Sequence, residues 1–80
     1  MDRPNIESRV RDVLSIVLER PIADDEYPTR ASEPGWDSLK HIEVIFAIEG
    51  EFGLRFGSDE MAELDGMESI VIHLVRHGAR

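Results

Sequence analysis

The chain has 80 residues, 17 acidic and 9 basic side chains, and a formal net charge of −8. That length suits one domain spanning residues 1–80, with too little material for an elaborate active site beside a core. So acidic a surface repels nucleic acid and anionic membrane, and its natural counterpart is a basic protein surface.

The N-terminus, Met1-Asp2-Arg3-Pro4, lacks the apolar stretch of a signal peptide, and no later run approaches membrane-span length. The expectation is a cytoplasmic monomer. A first helix is predicted from Pro4 to Glu19, since Pro4 fits a first turn and Pro21 stops the other end. Ile6, Val10, Val13, Leu14 and Val17 recur at helical spacing, with Glu7, Arg9, Arg11, Asp12 and Glu19 on the other side. Periodicity then disappears from Pro21 to Gly35, where Asp24, Asp25, Glu26, Pro28 and Pro34 mark a long irregular connection. Ile22 and Tyr27 are the apolar residues expected to pin it.

A second helix is predicted from Leu39 to Phe52, with Leu39, Ile42, Ile45, Phe46 and Ile48 inward and Val44 and Phe52 widening the stripe. Lys40, Glu43 and Glu49 fall on its charged outer surface, and Gly53 suits a left-handed terminus. Leu54-Arg55-Phe56 reads as an extended connector that inserts apolar side chains into the core. Ser58 is placed as the cap of a short helix, Asp59 to Leu64. Asp65 and Glu68 are read as a capping pair for a last helix. That helix carries Met67, Ile70, Val71, Leu74 and Val75, and Gly78 ends it. The fold class is all-α, a small bundle of three main helices plus one short one, with a long loop between helices one and two.

The chemistry concentrates at Trp36-Asp37-Ser38-Leu39, between the turn-forming Ala31-Ser32-Glu33-Pro34-Gly35 and the second helix. Asp37 is a good N-cap, which makes Ser38 the first helical residue, with its hydroxyl in solvent at the positive end of the dipole. A phosphate there meets unpaired backbone N–H groups, so the position suits phosphoryl modification. Asp-Ser alone is an ordinary helix start, and its neighbours make it more.

Asp37-Ser38-Leu39, the continuation Ile42-Glu43-Val44-Ile45-Phe46-Ala47-Ile48-Glu49, then Glu51-Phe52-Gly53, resemble the acyl carrier protein family, which includes peptidyl carrier domains. Helix order, the long first loop, Phe56 and the Leu64-to-Ile70 region match as well, so the likeness spans nearly the whole chain. The resemblance implies a 4′-phosphopantetheine arm on Ser38 that bears an acyl or aminoacyl cargo as a thioester. It implies recognition of Asp37 and Leu39 by a phosphopantetheinyl transferase. It also implies docking through the helix-two face of Glu43, Glu49 and Lys40, with Glu51 at a further matching acidic position, to basic patches on a loading ligase and downstream transferases. Lys40 and Gly50 depart from the strongly acidic pattern of fatty-acid carriers and favour a specialised pathway. Trp36, beside the serine, reads either as packing beneath the arm or against a partner, or as a half-buried staple before the cap.

Other patterns are weaker. His73 and His77 stand one helical turn apart, but no third ligand is evident, so no metal is expected. His41 near Ser38 invites a serine-hydrolase reading, which lacks a third member and an oxyanion site; no catalysis is expected. Asp24-Asp25-Glu26 lacks the spaced oxygens and glycine of a calcium loop. Ile45, Phe46 and Ile70 are candidates for a cargo lining, though periodicity alone makes them core. The rival to a carrier is an acidic helical interaction module without a prosthetic group.

Overall fold

The computed structural model describes residues 2–77. Four helices, α1 (Arg3–Val17), α2 (Ser38–Phe52), α3 (Ser58–Glu63) and α4 (Met67–Arg76), surround a common apolar core. Among the described residues there is no strand, only an isolated bridge between Thr29 and Gly66. No described helix is long and apolar enough to cross a membrane.

In α1 the Asp2 carboxylate accepts from the Asn5 N–H at 3.2 Å, and Ile6, Val10, Val13 and Leu14 form the buried stripe. The helix stops at Val17, two residues short of the predicted end, because Glu19 turns left-handed with φ of 58°. The Leu18 N–H still reaches the Leu14 carbonyl at 2.8 Å, and the Arg20 N–H reaches back to Ser15 at 3.1 Å. Arg11, expected on the polar side, is 8% exposed. Its guanidinium lies 5.4 Å from the centre of the Tyr27 ring and donates to the Glu26 carbonyl at 3.2 Å. A long side chain can bury its stem while its charged end finds an acceptor and an aromatic face.

The long loop is held mostly by polar contacts. Ile22 packs on the core as expected, but Tyr27 remains exposed and donates its hydroxyl to Glu7 at 2.7 Å. Arg20 forks to Glu26 at 3.0 Å and Glu33 at 2.8 Å. Further on, the Arg30 N–H donates to the Asp65 carbonyl and the Met67 N–H to the Pro28 carbonyl, both at 2.9 Å. Gly66 lies against this loop so closely that a Cβ would sit 3.0 Å from Thr29 Cγ2. That contact makes Gly66 the cap residue of α4, and its N–H donates to Ser69 Oγ at 3.2 Å. The predicted Asp65–Glu68 pair therefore does not form, and Glu68 pairs with Arg3 instead.

The buried stripe of α2 is His41, Val44, Ile45, Ile48 and Phe52. Leu39, Ile42 and Phe46, expected inward, are 67%, 42% and 62% exposed. They lie on a neighbouring helical face, and only the other stripe turns toward the core shared with α1. Gly53 ends the helix in the left-handed region, φ 65°, and donates to the Glu49 carbonyl at 2.9 Å. Leu54 and Phe56 insert into the core as predicted. The short helix is capped from Gly57 rather than Ser58, with the Gly57 N–H donating to Glu60 Oε1 at 2.9 Å. In α4 Met67, Ile70, Val71 and Leu74 are buried while Val75 is not. Gly78, the predicted stop, lies outside the described residues.

Candidate functional site

Ser38 is the first residue of α2 and is exposed. The cap beneath it forms as the sequence requires, with Asp37 accepting from the Lys40 N–H at 2.9 Å. The His41 N–H donates to the Asp37 carbonyl at 2.8 Å, which closes the first turn. The helix dipole at this first turn favours an anion. Sequence reasoning missed Arg30. Its Nη2 stands 3.5 Å from Ser38 Oγ, brought there by the pairing of its own backbone with Asp65. An arginine eight residues upstream in an irregular loop gives no periodic signal, and only the fold places it beside the serine. Arg30 also borders a shallow groove of about 580 Å³ with Thr29, Ala31 and Asp65.

Trp36 is 2% exposed, so it is core, not a half-buried staple or a partner contact, and only an edge of it reaches that groove. Its indole N–H donates to His41 Nδ1 at 3.1 Å. His41 Nε2 lies 2.8 Å from the Met61 carbonyl, an acceptor, so the ring is the neutral Nε2–H tautomer. Both ring nitrogens are committed, and the ring is 6% exposed. It has no free nitrogen to take a proton from Ser38, which removes the hydrolase reading. What it does is tie the loop, α2 and α3 together just below the serine.

On the outer face of α2, Lys40 lies 3.6 Å from Glu19 and 3.9 Å from Glu43. Glu43 is exposed. Glu49, expected to face solvent, is half-buried and accepts the Phe56 N–H at 2.8 Å, so it pins the connector after the helix. Glu51 is held by Arg9 at 2.6 Å. Leu39, Ile42 and Phe46 form an apolar strip alongside these charges, and Leu39 directly follows the serine. Ile45 and Ile70 are wholly buried core while Phe46 is outside, so the three do not make a shared lining.

Beside His73 and His77 stands Glu60, a third side chain of ligand type that sequence spacing did not bring to them. Its Oε2 lies 2.9 Å from His73 Nε2, and the two imidazoles stack with centres 4.2 Å apart. Burial, then the neighbouring His77, holds the His73 pKa below its ordinary value. With the ring neutral at neutral pH, the 2.9 Å approach to Glu60 is not an ion pair there. In the loop, Glu26 pairs with Arg20, and Asp24 and Asp25 are exposed.

No family model matches the chain. Among curated proteins it is similar to acyl carrier protein 3 of Ralstonia nicotianae, 26% identical over 78 residues, which covers 92% of this chain and 86% of that one. It is similar as well to the acyl carrier protein of Saccharopolyspora erythraea, 34% identical over 71 residues, covering 88% of this chain and 72% of that one.

Proposed function

Since the chain belongs to the acyl carrier protein family, a family of carriers rather than catalysts, we propose that Ser38 bears a 4′-phosphopantetheine arm and that the protein passes an acyl or aminoacyl thioester between separate enzymes. The observation that carries this reading is the exposed hydroxyl at the first position of α2, capped by Asp37 and flanked by the Arg30 guanidinium at 3.5 Å. The residues present fit the group. The hydroxyl gives the attachment oxygen, and the helix start and Arg30 offset a phosphodiester's negative charge. The arm supplies a thiol, which a chain without cysteine lacks.

The other residues take supporting roles. Asp37 fixes the helix start, so the hydroxyl keeps one position. Leu39, exposed next to it, is available to a phosphopantetheinyl transferase. Trp36 holds the loop that carries Arg30 from beneath. Glu43, with Lys40 beside it, is the docking charge for the basic surfaces of a loading ligase and downstream transferases. The strip of Leu39, Ile42 and Phe46 supplies apolar contact once charges have steered the approach. On this reading the protein is a single-domain cytoplasmic monomer.

Intact-mass spectrometry of the chain, produced with a broad-specificity phosphopantetheinyl transferase, tests the assignment. The arm's mass increment is expected on the parent and absent from Ser38→Ala. An exposed serine without a structural partner of consequence should change stability by less than about 1 kcal/mol when truncated. An increment that persists in the folded variant moves the attachment elsewhere. A parent that never acquires one supports the interaction-module reading.

A further inference from the structure

We propose that Glu60, His73 and His77 form a binding site for a borderline transition-metal ion of the zinc type, joining α3 to the C-terminal part of α4. The three side chains offer ligand atoms that all lie within 4.8 Å of one another. His73 lies on α4 and His77 is its C-cap, one turn on, and the two imidazoles stack on the same side. Glu60 comes from a different element and closes the set.

The carboxylate is oriented before any ion arrives. Its Oε1 accepts the Gly57 N–H at 2.9 Å, which leaves Oε2 facing His73 Nε2, also at 2.9 Å. His73 is itself steadied, since its ring meets the edge of Phe56 with centres 5.0 Å apart. A ligating carboxylate with its second oxygen hydrogen-bonded is the arrangement that fixes metal ligands in place.

The rearrangement required is small. Zinc–nitrogen and zinc–oxygen bonds of about 2.0–2.2 Å put tetrahedral ligand atoms about 3.4 Å apart. Glu60 and His73 have to separate by roughly half an ångström, and His77 has to rotate inward by somewhat more. His77 is exposed at the C-cap of α4, so its rotation gives up only the stacking on His73. His73 is neutral, so its single ring proton sits on Nδ1 when Nε2 takes the ion, and no proton is released. Two imidazoles and one carboxylate leave at least one coordination position for water.

The donor set decides the class of ion. Imidazole nitrogen suits zinc, nickel and copper, whereas calcium and magnesium prefer all-oxygen shells. Glu63 and Arg76 border the same cleft and partly cancel each other's charge, so selectivity rests on the three ligands. Binding has a mechanical consequence. The helix α3 has no fully buried residue, and an ion would clamp it from the Glu60 side. On another side Met61 packs on the core and its carbonyl lies 2.8 Å from Nε2 of His41, three residues beyond Ser38.

The whole chain, free of any affinity tag, is titrated with zinc chloride by calorimetry, with hydrogen exchange followed in parallel. One ion per chain is expected, with Glu60→Gln and His77→Ala each weakening binding at least about tenfold. Asp25→Asn, in the first loop, should bind as the parent does. Calcium chloride should bind at least about tenfold more weakly than zinc chloride. Zinc should slow exchange in α3 of the parent and not of Glu60→Gln. Both ligand variants alter partly or fully exposed side chains, so loss of binding will not reflect unfolding, and circular dichroism checks this. The proposal is overturned by no stoichiometric binding, by equal affinity in the ligand variants, or by calcium binding as tightly as zinc. The last result would mark general attraction to an acidic surface.

Discussion

Arg30 and Ser38 show how one unpatterned residue completes a site that the motif only begins. The arginine's backbone, not its side chain, holds the loop to Asp65, so Arg30→Ala should leave the fold intact. What it removes is a cation within reach of the serine oxygen. A charge-assisted contact at a solvated site is worth less than a buried one. Modification of Ser38 by the transferase is therefore expected to slow about three- to tenfold, or roughly 0.7–1.4 kcal/mol of barrier. A time course by intact mass at low salt measures it, and an unchanged rate removes Arg30 from the site. Trp36 and His41 work differently, as buried partners whose polar atoms satisfy each other. Their placement explains why a tryptophan and a histidine flank the serine without touching chemistry.

At the scale of elements, the end of α1 carries a cost. Glu19 holds a left-handed conformation that a side chain with Cβ adopts at about 1 kcal/mol, and glycine adopts without it. Its contact with Lys40, at 3.6 Å with Glu19 80% exposed, offsets little of that. Glu19→Gly should raise stability by up to about 1 kcal/mol, read by urea denaturation, and a loss would mean the Lys40 contact outweighs the backbone strain. On α2 the two candidate docking charges separate. Glu49 holds the Phe56 N–H, so reversing it would damage the connector as well as the surface. Glu43→Lys is the clean test. It should slow loading at low salt through the association rate, and the difference should shrink as salt rises, because exposed charges are screened beyond about 10 Å at 0.1 M. Equal rates for parent and variant at every salt concentration would shift docking to the strip of Leu39, Ile42 and Phe46.

For the molecule as a whole, acid acts in two steps. Net charge falls to zero near the sequence pI of about 4.7, where mutual repulsion vanishes and light scattering should rise. Further down, the Arg3–Glu7 pair within α1 and the Arg20–Glu26 pair within the first loop are lost, and with Glu7 the charged acceptor of the Tyr27 hydroxyl that ties that loop to α1. Hydrogen bonds from Arg3 and from the Tyr27 hydroxyl hold the Glu7 pKa below its ordinary value of about 4.5. Arg20 and the Ala23 N–H do the same for Glu26. A carboxylate whose folded pKa is depressed contributes stability above its unfolded pKa, and the contribution fades as pH falls through the folded value. The melting temperature should thus be flat from neutral pH toward about 4.5 and decline below it. A melting temperature that is unchanged at pH 3 would mean these pairs hold no part of the fold.

The sequence by itself determined the four helices, the Asp37 cap, the exposed Ser38 at the head of α2 and the left-handed turn at Gly53. Each rests on local rules, periodicity and capping, that act within a few residues. Tertiary structure decided which faces those helices bury. A 100° step per residue leaves two adjacent apolar stripes on α2, and contact with the core chose the one through Val44 and Ile48, leaving Leu39 and Phe46 outside. Tertiary structure also buried Trp36, His41 and Arg11, gave Glu49 a backbone to hold, and made Gly66 rather than Asp65 the cap of α4, because Thr29 presses against it. It brought Arg30 to Ser38 and Glu60 to His73. These pairs are separated by eight and thirteen positions and joined through loops, where no repeat in the chain records which residues will meet.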